Sequence, residues 1–379
     1  MEFRDLNKQY MHNKQQIDTA IQNVLLSAQY IGGNPVSELE KKLAEYVGVK
    51  HCITCANGTD ALQLALMTWE VGIGDAVFVP DFTFFSTAEV VPCVGATPIF
   101  VDVERDTFNI SPSCLENTIL RVIEEGKLKP KAIIAVDLFG QPADYTRIRA
   151  IAKKYDLLLL EDGAQGFGGQ IGHQKACCFG DISTTSFFPA KPLGCYGDGG
   201  AIFTDDDEWD KLLRSYKVHG KGRDKYDNIR IGMNSRLDTI QAAVLLAKLD
   251  DFVNFEIDSV NRVAEKYTAE LSDIIITPVV KKDFVSSWAQ YTIVLENSIQ
   301  RDELNRYLKE RNIPTMIYYA KPLHMQEALL SDYDYNKECE VTVDICQRVL
   351  SLPMHPYMEE QDVNIVIDNI RHFYVNKSI

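Results

Sequence analysis

The stretch Leu157-Leu158-Leu159-Leu160-Glu161-Asp162-Gly163-Ala164-Gln165 runs from four apolar residues straight into two carboxylates and a turn. A short apolar run closed by turn chemistry reads as a strand covered on both faces, the kind found in parallel sheets under helices. The same pattern recurs at 52–55, 76–79, 98–101 and 132–136, with helical segments at 59–69, 84–92 and 143–155 between the runs. This alternation predicts an α/β fold, a mostly parallel sheet covered by helices, and ligands that gather beyond the strand ends.

Outward from that centre the pattern changes. Residues 13–28 read as a helix that Tyr30-Ile31-Gly32-Gly33-Asn34-Pro35 breaks; Ser37, three before Glu40, has capping-box spacing for a second helix carrying Leu39, Leu43 and Val47. After Gly200 come a strand at 201–204, a helix at 205–217 and an Ala- and Leu-rich helical tract at 236–272 long enough to bridge domains. A strand at 291–295 and helices at 301–311, 337–349 and 359–373 predict a smaller α+β domain. The expected division is an N-terminal arm over 1–35, a large domain over 36–250 and a small C-terminal domain over 251–379.

Composition excludes several classes. A chain of 379 residues exceeds what one core usually supports, and 39 Lys plus Arg against 54 Asp plus Glu give −15, unsuited to coating a polyanion. Nucleic acid is therefore not an expected partner. No apolar run approaches the ~20 residues of a membrane span, so no membrane association is expected. Met1-Glu2-Phe3-Arg4-Asp5 has charges where a leader needs an apolar region, and the nine cysteines are scattered, which predicts a reduced, cytoplasmic setting. Cys52 and Cys55 have C-x-x-C spacing without a second pair to complete a zinc site, so burial is the expectation. Adjacent Cys177 and Cys178 read as packing residues.

Three loops carry chemistry. Cys55-Ala56-Asn57-Gly58-Thr59-Asp60-Ala61-Leu62 joins a strand to a helix start, where free N–H groups, the Thr59 hydroxyl and close approach at Gly58 favour a phosphate. The same residues also read as an ordinary turn and N-cap. Glu161 and Asp162 end a buried strand and need a cationic ligand group, a metal or a salt bridge. His173 is the one histidine close in sequence and reproduces no zinc spacing, so no metal is expected. In Ser186-Phe187-Phe188-Pro189-Ala190-Lys191-Pro192-Leu193-Gly194, prolines flank Lys191, and apolar neighbours favour the neutral amine that attacks carbonyl carbon.

Together these loops supply what pyridoxal 5′-phosphate (PLP) needs: a phosphate cradle, a carboxylate for the pyridine nitrogen and a lysine for the aldehyde. Phe84, in Pro80-Asp81-Phe82-Thr83-Phe84-Phe85-Ser86-Thr87, is the candidate ring cover, while Phe82 and Phe85 also read as core.

Gly58-Thr59-x-Ala61-Leu62, Glu161-Asp162-x-Ala164-Gln165, Ser186-Phe187-x-x-x-Lys191-x-Leu193-Gly194, Gly197-Asp198-Gly199-Gly200-Ala201 and Gly232-x-Asn234-Ser235-Arg236-Leu237-Asp238-x-x-Gln241-Ala242-Ala243 stand in order along the chain. In these motifs the sequence resembles the DegT/DnrJ/EryC1/StrS sugar aminotransferases, PLP enzymes of fold type I. The resemblance implies that Lys191 bonds the cofactor aldehyde, Asp162 meets the pyridine nitrogen, Gln165 the phenolic oxygen, and Gly58, Thr59, Asp60 and Ser186 the phosphate region. It places Phe84 at the stacking position and Asn234 at one that reaches the neighbouring subunit's cofactor, which implies a homodimer with shared sites.

Within that family the stretches 186–204 and 230–243 are most similar to 3-aminotransferases acting on UDP-2-acetamido-3-keto-glucuronate in surface polysaccharide synthesis, with L-glutamate the implied donor. Arg236 would then meet the uronate carboxylate, although Ser235 to Asp238 also read as a helix start. Tyr318, Tyr319 and His324 are the implied sugar contacts; Tyr318 stands where the family often has histidine, and a phenol is a poor proton carrier near neutral pH. A 4-aminotransferase acting on a nucleotide 4-keto-6-deoxy sugar, and a non-catalytic binding regulator, are the alternatives. A sugar dehydratase of the same fold would replace Lys191. The basic run Lys217, His219, Lys221, Arg223, Lys225, Arg230 and Arg236 is expected to attract the anionic substrate.

Overall fold

A computed structural model describes residues 1–377 except Lys225 and 330–338. Its centre is a seven-stranded sheet in the order His51–Cys55, Gly200–Thr204, Ile182–Ser186, Leu158–Asp162, Lys129–Val136, Asp75–Pro80, Thr97–Val101. Gly200–Thr204 runs antiparallel to both neighbours and the other strands are mutually parallel. The sheet is buried on both sides because successive residues of one strand serve opposite cores. Val77 and Val79 pack into one cluster with Leu62, Leu66 and Ile134, while Ala76 and Phe78 pack into the other with Ile133 and Leu159. Phe78 is fully buried, and truncating it to alanine costs about 3–5 kcal/mol.

Every strand expected from an apolar run is present. The strand Ile182–Ser186, which the sequence reading missed, is hydroxyl-rich. Its polarity is absorbed within the sheet, where Thr184 Oγ1 donates to the Glu161 carbonyl at 3.1 Å and Thr185 Oγ1 to the Gly163 carbonyl at 3.1 Å. The helix Pro112–Glu125 was also missed; Ser111 caps it and Pro112 fills its first turn. The N-terminal segment forms two helices, Leu6–His12 and Lys14–Ser27, rather than one, because Asp5 caps an extra first helix by accepting from the Lys8 N–H at 2.8 Å.

The capping-box reading at Ser37 is overturned. The helix spans Asn34–Val47 with Gly33 as N-cap and Pro35 in the first turn, where its fixed φ suits a helix start. Glu40 instead accepts from the Thr54 N–H at 2.9 Å and from Thr54 Oγ1 at 2.8 Å.

The bridging tract is one unbroken run: Thr239–Asp251, a π-helical turn at Phe252–Glu256, then Ile257–Leu271. Its last helix and the residues that follow form a separate core in which Val260, Tyr267, Tyr291, Leu304, Leu350 and Ile370 are buried together. Tyr291–Val294 pairs antiparallel with Val349–Leu352 there, flanked by helices Ser298–Lys309, Glu340–Arg348 and Glu360–Lys377. The first residues expected in the helix at 337–349 fall outside the described region. A small sheet joins the two cores, Phe284–Val285 pairing with Gln170–Ile171, which also pairs with Gln174–Lys175. No described helix is long and apolar enough to cross a membrane.

Candidate active site

The parallel strands deliver their carboxyl ends to one cavity of about 920 Å³. Strand His51–Cys55 leads into Asn57, which caps the helix Gly58–Thr68 by accepting from the Asp60 N–H at 2.8 Å. Both readings of this loop therefore hold at once, since the cap satisfies Asp60 and leaves the first N–H groups of the turn facing the cavity. Close packing requires glycine here. A Cβ on Gly58 would lie 2.8 Å from Ser186 Cβ, and one on Gly200 would lie 2.5 Å from the Asn57 carbonyl oxygen. Thr59 Oγ1 and Ser86 Oγ stand 2.8 Å apart beside Ser186, so three hydroxyls and a helix start converge.

At the end of Leu158–Asp162 the two carboxylates part. Glu161 turns into the protein, where it accepts from the Phe179 N–H at 2.7 Å, the Gly180 N–H at 3.2 Å and Ser183 Oγ at 2.8 Å. Of the three partners left open by the sequence, it takes none; polar backbone and a hydroxyl supply the compensation. Asp162 lines the cavity. Its Oδ2 accepts from Thr87 Oγ1 at 2.8 Å and its Oδ1 from the Ala164 N–H at 3.2 Å. Burial pushes this carboxyl above its ordinary value, while the Thr87 bond and the Lys191 charge pull the other way.

Lys191 lies across the same cavity, its N–H donating to the Phe188 carbonyl at 2.8 Å in a tight loop. Burial lowers its pKa from the ordinary lysine value, opposed by Asp162 and reinforced by the positive charge of Arg4. A half-buried amine biased toward its neutral form, facing a carboxylate, is prepared for attack on a carbonyl. Gln165 accepts from the Phe139 N–H at 2.8 Å and donates to the Tyr319 hydroxyl at 3.1 Å. Phe84 is 54% exposed at the rim, its ring 6.5 Å from that of Tyr319, whereas Phe82 is core. Tyr318 also lines the cavity.

Gly58, Thr59, Asp60, Phe84, Asp162, Gln165, Ser186, Lys191, Tyr318 and Tyr319 are thus brought together. Three expected residues are not among the cavity lining. His324 is held by Asp81: its Nδ1 lies 2.6 Å from Asp81 Oδ2 and its N–H donates to Asp81 Oδ1 at 2.8 Å, so its ring serves the loop rather than the cavity. Asn234 and Arg236 are exposed on the surface stretch before the long helix. That helix starts at Thr239 with Asp238 as N-cap, while Ser235 Oγ accepts from the Ala56 N–H at 3.1 Å and so supports the phosphate loop.

The sequence reading missed Thr83, Gln290, Lys321 and Gln326 in the cavity lining, and Thr87, which is buried behind it against Asp162. Thr87 ends the quoted aromatic stretch and Lys321 stands two residues after Tyr319, but nothing local marks the first as a partner of Asp162 or the second as cavity-facing. The expected basic field is reduced. Lys217 donates to the Thr54 carbonyl at 2.6 Å and pairs with Glu40 at 3.4 Å, and Arg230 bonds Ser215 and stacks on Tyr216, so both are engaged within the chain; Lys225 lies outside the described residues. The nine cysteines are free, and burial raises the Cys55 thiol to about 12 and the Cys52 thiol well above its ordinary value, which removes C-x-x-C redox chemistry.

A lysine and a carboxylate facing one another, beside a helix start crowded with hydroxyls and closed by a glycine that admits no Cβ, suit the aldehyde, pyridine nitrogen and phosphate of PLP. The fold and this cavity define a PLP-dependent enzyme of fold type I. The model of the DegT/DnrJ/EryC1/StrS aminotransferase family matches residues 11–371. The chain is 44% identical to a UDP-2-acetamido-2-deoxy-3-oxo-D-glucuronate aminotransferase of Pseudomonas aeruginosa, covering 97% of this chain and 98% of that one. It is 38% identical to a UDP-N-acetyl-3-dehydro-alpha-D-glucosamine 3-aminotransferase of Acidithiobacillus ferrooxidans, covering 97% and 96%. A Brucella abortus aminotransferase of the same family has a crystal structure 50% identical, with TM-score 0.96 and coverage of 98% and 99%. NtdA of Bacillus subtilis, solved with bound cofactor PMP, is 26% identical with TM-score 0.85, covering 95% and 82%. The chain belongs to the DegT/DnrJ/EryC1/StrS aminotransferase family, and its cofactor is PLP.

Proposed function

We propose that this enzyme moves an amino group from L-glutamate to a nucleotide-linked keto-sugar, with a UDP-2-acetamido-3-keto-hexuronate the favoured acceptor, in bacterial surface polysaccharide synthesis. The observation that carries the reading is Lys191 facing Asp162 in one cavity, in a chain whose relatives are named for 3-oxo and 3-dehydro sugar nucleotides. The cofactor, when bound, supplies an electron sink and carries the amino group between the two half-reactions.

The chain's own residues supply the rest. Gly58, Thr59, Asp60 and Ser186 hold the phosphate, Gln165 the phenolic oxygen, Phe84 covers the ring, and Asp162 keeps the pyridine nitrogen charged. Lys191 Nζ would take a proton from the substrate carbon that bears nitrogen and return it to the carbon on the far side of that nitrogen, which needs an amine neutral near working pH. Tyr318, Tyr319 and Lys321 line the cavity and would meet the sugar. In place of the expected His324, Lys321 offers a cation to the anionic acceptor.

A homodimer completes the site. Asn234 and Arg236 are exposed and outside the cavity of their own chain, which suits delivery to a partner's cavity, and Tyr226, Ile229 and Ile231 are 85%, 58% and 89% exposed on the same stretch. Apolar exposure of this kind belongs under a partner surface. The chain divides near 250, its two cores linked by the continuous helix, and nine free thiols suit the reducing cytoplasm.

The test is purified protein with glutamate and a panel of nucleotide keto-sugars, with the aminated carbon located by NMR. A 3-amino product from the uronate establishes the reading, a 4-amino product from a 4-keto-6-deoxy sugar replaces it, and cofactor absorbance unmoved by glutamate would favour the regulator.

A further inference from the structure

The loop that carries Lys191 is gripped from behind by charges that come from distant parts of the chain. Arg4, in the N-terminal arm, donates from its guanidinium to the Lys191 carbonyl at 2.8 Å and the Pro192 carbonyl at 3.4 Å. Lys248, in the long helix and 1% exposed, donates to the Gly194 carbonyl. Glu256 balances the two cations. Itself 2% exposed, it accepts from Gln9 Nε2 at 2.9 Å and from the Tyr357 hydroxyl at 2.7 Å.

The arm is fixed on its other side as well. The Phe3 carbonyl accepts from the Met354 N–H at 3.2 Å, and the Phe3 ring lies 6.3 Å from that of Tyr318. Two residues of the arm therefore join the Lys191 loop to the C-terminal core and to a sugar-side residue. Arginine suits this place because its fork offers donors to two adjacent carbonyls and keeps its charge when buried.

We propose that Arg4 is a positioning residue for Lys191, a cationic clamp that reaches from the N-terminal arm, holds the lysine loop by its carbonyls and sets a fixed positive charge behind the reacting amine. The proposal rests on Lys191 being the cofactor-bearing lysine. The charged groups around Lys191 are Asp162 on the cavity side and Arg4 behind it; around Arg4 they are Glu256, Lys248, Tyr357 and His355. Arg4 disfavours protonation of Lys191, and burial together with Arg4 lowers Lys248 to about 8 despite Glu256. Removing the Arg4 charge should make the cofactor lysine hold its proton to higher pH.

The experiment uses holoenzyme. Borohydride reduction and peptide mapping of the wild type come first: cofactor fixed on Lys191 establishes the underlying reading, and cofactor fixed elsewhere overturns it independently of Arg4. The absorbance of bound cofactor is then titrated against pH in wild type, Arg4→Met and Arg4→Lys. The midpoint should rise by about half a pH unit or more in Arg4→Met, with kcat down roughly tenfold, and stay near the wild-type value in Arg4→Lys. An unchanged midpoint in Arg4→Met, even with a lowered Tm, overturns the proposal, because a merely structural arm would lose stability without moving the titration. Should Arg4→Met fail to fold, Arg4→Gln, which keeps a donor for the carbonyls but no charge, is read the same way.

Discussion

Thr87 Oγ1 donates to Asp162 Oδ2 at 2.8 Å across 75 residues of sequence, and it is the only side-chain hydrogen-bond donor to that carboxylate among the described residues. Burial raises the Asp162 carboxyl above its ordinary value, and this bond works against that. Replacing Thr87 by valine keeps the shape and removes the donor, at a loss of about 1–2 kcal/mol of preference for the charged form. The expected result is kcat lowered roughly tenfold, with Thr87→Ser close to wild type. Steady-state kinetics check it, and equal kcat in the valine and serine variants would remove the role.

Lys191→Ala should abolish multiple turnover while the protein still folds, since the side chain ends in the cavity. Asp162→Asn should keep the fold and the cofactor yet lower kcat by about 10²-fold or more, because the protein would no longer hold charge where the reaction develops it. Circular dichroism separates these losses from unfolding.

Gly58→Ala places a Cβ 2.8 Å from Ser186 Cβ, so the phosphate loop or the Ser186 strand must move. Cofactor affinity should fall, with a stability loss of about 1–3 kcal/mol from overpacking. Equilibrium dialysis against PLP and a thermal melt give the two numbers separately.

Arg236→Ala and Lys191→Ala homodimers should each be inactive, and an equimolar mixture should regain about one quarter of wild-type activity, because half the dimers would then hold one intact site. No recovery on mixing, with subunit exchange verified by mass, would remove the shared site. Unchanged kcat/KM in Arg236→Lys would remove the bidentate carboxylate contact.

Burial lowers His355 to about 4, helped by Arg4 and Lys8. The unfolded chain binds this proton near pH 6.5 and the folded chain near 4, so the stability linked to a neutral His355 is present above about 6.5 and is lost as pH falls toward 4. The amount is at most about 3 kcal/mol. His355→Leu should flatten the dependence of Tm on pH between those limits; an unaltered slope would place it in other groups.

Local pattern carried most of the sheet. Apolar runs such as Val77 to Val79 declare strands because each residue is covered whichever face it meets, and Lys191 between two prolines stood out against its surroundings. The strand at 182–186 was hidden because its Ser and Thr residues satisfy themselves on neighbouring carbonyls, a bond partner that no window of sequence contains. Ser37 failed as a cap because Pro35, two residues earlier, had already started the helix.

By itself the sequence determined the α/β class, the order of the motifs and the candidate lysine, carboxylate pair and phosphate loop, since each rests on residues within a few positions of one another. Only the tertiary structure decided which carboxylate faces the cavity, that Thr87 supports it, that Asp81 withholds His324 and that Arg4 stands behind Lys191. These are contacts across 75 to 243 residues, set by strand order and domain packing. The charge of a buried side chain follows from such neighbours rather than from its place in the chain.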